Sequence, residues 1–278
     1  MSIWLSLLLG FVQGATEFLP VSSSGHLAII QQLYINATEA QLPNPLLFDI
    51  FLHLGTLTAV FIAFHKDIRD LIIAFFALFT VSGRNNEKIR PSRRMLILIL
   101  IATLPVLVAA FFADTVEVLM ESLYFIGGAL ILTGFLLFVA DRIKPGRKNE
   151  KTARVSDAAL VGVMQAIAVI PGLSRSGSTI WAGIMRGFDR QFAITFSFLM
   201  SIPAVLGATV LHLVKAVKEG VDFSEMFVFI PGMLVAAVVG YFAIILLKRM
   251  AAKGRFGAFA VYCVSVGVVT VILPFIID

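Results

Sequence analysis

Two short polar runs stand inside an otherwise apolar chain. The first reads Gln13-Gly-Ala-Thr-Glu17-Phe-Leu-Pro-Val-Ser22-Ser23-Ser24-Gly25-His26, and the second Pro171-Gly-Leu-Ser174-Arg175-Ser176-Gly177-Ser-Thr179. Gln13 and Glu17 are four apart and share one helix face, with Gly10 and Gly14 beside them allowing close helix approach. A carboxylate at membrane depth is costly and marks either function or a buried pair, for which Arg175 is the natural mate. The serines of each run precede an apolar stretch and suit the N-cap of a second half-helix. The free N–H groups of such a start also bind anions. Two half-helix starts and one arginine at one depth therefore describe a cradle for phosphate or pyrophosphate, with Ser22, Ser24, Gly25, Ser174, Ser176, Gly177 and Thr179 around it. His26, beside three serines and Glu17, is placed to act as general base or nucleophile. Asp49 and His53, also four apart, line the mouth of the site or hold a divalent ion. His65 and His212 read as interfacial, and no His/Cys spacing suggests structural zinc.

The elements that carry these runs are membrane helices. Of 278 residues 59% are hydrophobic and only 14% charged, with a mean hydropathy of +0.96. A soluble domain of this length needs nearer a quarter charged residues. Apolar runs recur at about 47–65, 95–113, 122–141, 191–213, 226–247 and 256–276, each matched to a hydrocarbon core of about 30 Å. The alternation expected of a β-barrel is absent. The predicted class is an all-α integral membrane protein with about six full crossings. Segment 68–80, inside a basic loop, reads as a short interfacial helix. Cys263 lies in an apolar run and reads as a small buried residue.

Segments 3–34 and 156–185 are apolar but broken at the two polar runs. At an offset of 152, Gly10 falls on Gly162, Gln13 on Gln165, Ser22 on Ser174, Ser24 on Ser176 and Gly25 on Gly177. Each broken segment precedes three crossings, which divides the chain into repeats at 1–141 and 156–278. If each broken segment returns to its own side as a re-entrant helix pair, 19 of the 22 lysines and arginines fall in loops 66–94, 142–155, 186–190 and 248–255. Only Lys215 and Lys218 then lie in opposite loops, so the positive-inside rule favours re-entrant pairs with both termini outside. This placement also accounts for the net charge of +5 without a nucleic-acid partner. Three crossings per copy invert the second repeat, and the two tips meet near the midplane, where such proteins place substrate sites.

The two runs resemble the signature motifs of the undecaprenyl-diphosphate phosphatase family of the bacitracin-resistance type, and segment order agrees over essentially the whole chain. The resemblance implies hydrolysis of undecaprenyl diphosphate to undecaprenyl phosphate and inorganic phosphate, which recycles the lipid carrier of cell-wall synthesis. It further implies a divalent cation (Mg or Ca), a bacterial plasma membrane location with the site open to the outer face, and a homodimer. Glu17 matches the second acidic position of the family's first motif, while Gln13 takes the first as glutamine, a departure from a two-carboxylate metal site. Ser23, His26, Ser174, Arg175 and Thr179 match the remaining polar positions. Two routes stay open: attack by Ser23 helped by His26, or by water activated by His26 and Glu17. The rival class is a lipid flippase or anion transporter on the same inverted repeat. Its weakness is the density of reactive side chains, more than anion passage needs. A membrane scaffold leaves Glu17 and Arg175 without a role.

Overall fold

The computed structural model describes residues 1–39, 44–80, 85–112, 118–144, 146–218, 226–252 and 254–277. Parts of the expected loops, at 40–43, 81–84, 113–117 and 219–225, lie outside the described residues. Among the described residues the regular structure is helical, and the only β feature is an isolated bridge between Lys148 and Phe188. In chain order the helices are α1 (Ile3–Phe18), α2 (Ser23–Thr38), α3 (Pro45–Ala63), α4 (His65–Ala77), α5 (Arg90–Ala109), α6 (Leu123–Arg142), α7 (Val155–Ile167), α8 (Arg175–Met185), α9 (Arg190–Lys218), α10 (Met226–Ala252), α11 (Gly257–Ile272) and α12 (Pro274–Ile277).

Five of these, α3, α5, α6, α9 and α10, are long and apolar enough to cross a bilayer. The sixth expected crossing is divided. Helix α11 has 16 residues, about 24 Å at 1.5 Å per residue, and passes through Leu273 in helical conformation into α12. Large apolar side chains face outward, Trp4, Phe111 and Phe227 each more than 80% exposed. In water such a surface would aggregate, and in lipid it needs no cover. The chain is an all-α integral membrane protein.

Both expected breaks are present, and local chemistry explains each. Helix α1 stops where Leu19 turns extended (φ −65°, ψ 142°), as the residue before Pro20 must. Ser22 then caps α2, accepting the N–H of Gly25 at 3.2 Å, so the second helix begins at Ser23, earlier than the apolar pattern suggests. Helix α7 ends at Ile167, ahead of Pro171 and of Gly172, whose φ of +85° suits glycine. Ser174 caps α8, accepting the N–H of Gly177 at 3.1 Å.

Helix pairing is reciprocal between the halves. Helix α1 lies along α10 and α7 along α5, α3 meets α10 as α9 meets α5, and α3 meets α9 while α6 runs along α11. Gly10 of α1 abuts the backbone of Gly232, and Gly162 of α7 abuts that of Ala102; a Cβ at either glycine would collide. Small residues are what let membrane helices approach this closely.

The basic loops gather at one end. Lys148 N–H donates to Gly187 O, Asp189 N–H donates to Lys148 O, and Arg94 reaches Ala153 O at 2.7 Å. Asp157, fully buried in the first turn of α7, pairs with Lys148 and Arg186, each at 2.8 Å. Asp141 accepts the N–H of Phe256 just after the loop that ends α10, while Arg190 lies beside Gly254.

Candidate active site

The two breaks touch. Gly172 N–H donates to Ser24 Oγ at 3.4 Å, and Ser176 Oγ donates to Leu19 O at 3.3 Å, so each tip bonds the backbone or side chain of the other. A Cβ on Gly25 would crowd Gly172 Cα, and one on Gly177 would crowd Pro20, so the missing side chains let the tips close together. Thr133 of α6 braces the second tip by accepting the N–H of Ser174 at 3.0 Å and donating to Gly172 O at 3.4 Å.

Glu17, at the last turn of α1, joins the halves electrostatically. Its Oε1 accepts from Arg175 Nη2 at 2.6 Å, its Oε2 accepts from Ser23 Oγ at 2.6 Å, and Gln13 Nε2 donates to Oε2 at 3.3 Å. A charge-assisted pair of this length, largely shielded from solvent, is far stronger than an exposed one. Glu17, Ser23 and Arg175 line a cavity of about 220 Å³ together with Ser22, Ser24, His53, Gln165 and Ser174. Its apolar wall includes Val106 of α5 and Ala204, Val205 and Ala208 of α9, which follow Pro105 and Pro203. A proline inside a helix removes one N–H from the backbone ladder, and both wall helices carry theirs where they meet the site.

The remaining expected residues are distributed unevenly. His26 does not line the cavity. Its Nδ1 donates to Ser22 O at 2.7 Å, and its Nε2 meets the hydroxyl of Tyr262 on α11 at 2.8 Å, with the two rings parallel. Ser23, expected to lean on His26, bonds Glu17 instead. Thr179 is buried behind the tip, bonded to Arg175 O and, at 2.6 Å, to Ser197 Oγ. Ser176, Gly25 and Gly177 also lie off the lining, and their donors are taken within the protein. Of the expected mouth residues, His53 faces the cavity. Asp49 stands behind it, 3.3 Å from His53 Nδ1 and 3.8 Å from His212 of α9. Gln165, offset mate of Gln13, reaches the lining without having been singled out from sequence. An amide carries no charge, and only the register match marked its place.

The donor set bears on the expected cation. Among the described residues no three His, Cys, Asp or Glu side chains cluster as a metal cage. Gln13 Oε1, by contrast, is buried with no partner in the protein, beside the Glu17 carboxylate. One carboxylate and one amide oxygen fit an ion shared with substrate phosphates rather than one held by protein alone.

Residues 6–269 match the model of the family described as bacitracin resistance protein BacA. An undecaprenyl-diphosphatase from Halothermothrix orenii is 40% identical over 98% of each chain. Relatives of the same name are 38% identical in Alkaliphilus metalliredigens, over 98% of each chain, and 34% identical in Methanosphaera stadtmanae, over all of each chain.

Proposed function

The chain belongs to the bacitracin resistance protein BacA family, and from that premise we propose how its cavity performs the family's reaction. The protein is a multi-pass membrane phosphatase that converts undecaprenyl diphosphate to undecaprenyl phosphate and inorganic phosphate. The observation that carries the mechanism is the double engagement of Glu17, by Arg175 from one tip and by Ser23 from the other.

In the proposed reaction the isoprenoid tail stays among the outer helices and the diphosphate enters the cavity. Its terminal phosphate takes the place of Glu17 on Arg175, and the starts of α2 and α8 turn their free N–H groups toward the added charge. Ser23 Oγ, already donating to Glu17, gives that carboxylate its proton and attacks the terminal phosphorus. The bond to the bridging oxygen breaks, and the lipid phosphate departs as a weakly basic anion that needs no proton. Water then attacks the phosphoserine, Glu17 returns a proton to Ser23 Oγ, and inorganic phosphate leaves. His26 belongs to the positioning of this centre, holding the Ser22 carbonyl next to the nucleophile. Glu17 and Gln13 Oε1 would hold a divalent cation together with the diphosphate, where it supplies neutralisation of phosphate charge.

Two inverted repeats with re-entrant tips are part of the same reading. The reciprocal helix pairing, the matched packing of Gly10 and Gly162, and the gathering of basic loops at one end support it. Termini toward the outer face are the reading that loop charge supports, while a bacterial inner membrane location, a cavity open to the outer face and a homodimer rest on the resemblance alone.

The test is phosphate release from undecaprenyl diphosphate by purified protein in detergent. Wild type is expected to release phosphate, chelation of divalent ions to suppress release, and Arg175→Ala to lower kcat/KM by ~10²–10³-fold. Release unchanged by Arg175→Ala would remove the clamp, and no release by wild type with any divalent ion would remove the reaction.

A further inference from the structure

Gln165 lines the cavity and is only 2% exposed, yet neither Nε2 nor Oε1 has a hydrogen-bond partner within the protein. Arg175 Nη1, on the same lining, is likewise unpartnered, while Nη2 is held by Glu17. A buried polar atom without a partner is costly to keep, so these three atoms are arranged for what enters the cavity. The kinds of atom define that occupant. Arg175 Nη1 and Gln165 Nε2 can only donate, and ionised phosphoryl oxygens accept from both. Gln165 Oε1 can only accept, which a phosphoryl dianion cannot satisfy and a water molecule can.

We propose that Gln165 is a catalytic residue that holds the hydrolytic water, Oε1 accepting from the water while Nε2 donates to an oxygen of the phosphoryl group under attack. Rotating the amide by half a turn exchanges the two ends without changing the argument, since both are free. Amide positioning of an attacking water is an established solution in phosphoryl transfer. The inference rests on the phosphatase reading above and adds the group that orients its second reactant. In the balanced step, the water oxygen forms the new bond to phosphorus and the bond from phosphorus to Ser23 Oγ breaks. Both water protons leave on the inorganic phosphate, and Glu17, having returned its proton to Ser23 Oγ, is again a carboxylate.

The variant Gln165→Met keeps the volume and removes both polar ends. Since neither end bonds the protein, its melting temperature is expected to be no lower than that of wild type. With undecaprenyl diphosphate radiolabelled in the terminal phosphate, its kcat is expected to fall ~10²-fold, KM to fall with it as the phosphoserine accumulates, and kcat/KM to stay nearly unchanged. Label should accumulate on the protein as phosphoserine and vanish in the double variant with Ser23→Ala. Wild-type kcat, a raised KM with kcat intact, or a lowered melting temperature would each overturn the assignment. If Gln165→Met does not fold, Gln165→Glu, which retains shape and an acceptor but loses the donor, must show the same kcat loss, and wild-type kcat in it overturns the proposal. A fall in kcat without label upholds Gln165 and overturns Ser23 as nucleophile. Absence of phosphate release by wild type overturns the reaction itself, independently of Gln165.

Discussion

At the scale of single residues, the roles proposed for Glu17 and His26 differ from what their chemistry alone suggests. Histidine is the customary base at neutral pH, but here both ring nitrogens are engaged away from the cavity, and the hydroxyl of Ser23, the proposed nucleophile, points at a carboxylate. Glu17→Gln is therefore expected to lower kcat by ~10²–10⁴-fold. His26→Ala is expected to cost ~10²-fold through misplacement of Ser22 and Ser23, while the pH profile of kcat keeps its wild-type shape. Loss of a limb of that profile in His26→Ala would make His26 the proton acceptor after all. Ser22, next to the nucleophile, sits at φ +70°, a conformation rare outside glycine and found where surrounding structure enforces it. Types and spacing made Glu17, Ser23, Arg175 and Ser174 legible in the sequence. The direction in which His26 faces was not, because Tyr262 lies 236 residues away and only the fold brings α11 beside α2.

At the scale of elements, caps and prolines decided the architecture, and both are local signals. The breaks at Pro20 and Pro171 and the serine caps that reopen the helices are readable from a few adjacent residues. The division of the last apolar run into α11 and α12 at Pro274 is less so, because Leu273 remains helical and the run stays apolar throughout. Helix pairing depends on surfaces far apart in sequence, and the offset of Gly10 and Gly162 was its only trace. Matched contacts carry a matched expectation. Gly10→Ala and Gly162→Ala should each destabilise by ~1–3 kcal/mol, since the added methyl meets backbone rather than a movable side chain. Thermal unfolding in detergent checks this, and tolerance at only one of the two sites would argue against equivalent packing.

At the scale of the whole molecule, the arrangement of charge is the organising fact. Lysines and arginines collect at one end, where Asp157 ties loop 142–155 to the loop after α8. A cysteine introduced at Asn149 should react with an impermeant maleimide only from the cytoplasmic side, and one at Glu121 only from the other. Both substitutions are made in the native background, because Cys263 is buried. Labelling of both from one side would exclude the crossing by α6 on which this topology depends. Deep in the bundle Arg175 is matched by Glu17 at 2.6 Å. That pair has a consequence for turnover. In the proposed reaction phosphate takes over Arg175 Nη2 from Glu17 in addition to the free Nη1, so the carboxylate competes with the anion for that donor. An arriving diphosphate has two negative groups and a buried tail with which to displace the carboxylate. A departing inorganic phosphate has neither advantage, and the returning carboxylate expels it. Added inorganic phosphate is therefore expected to inhibit turnover only weakly, which initial rates measured against rising phosphate would check.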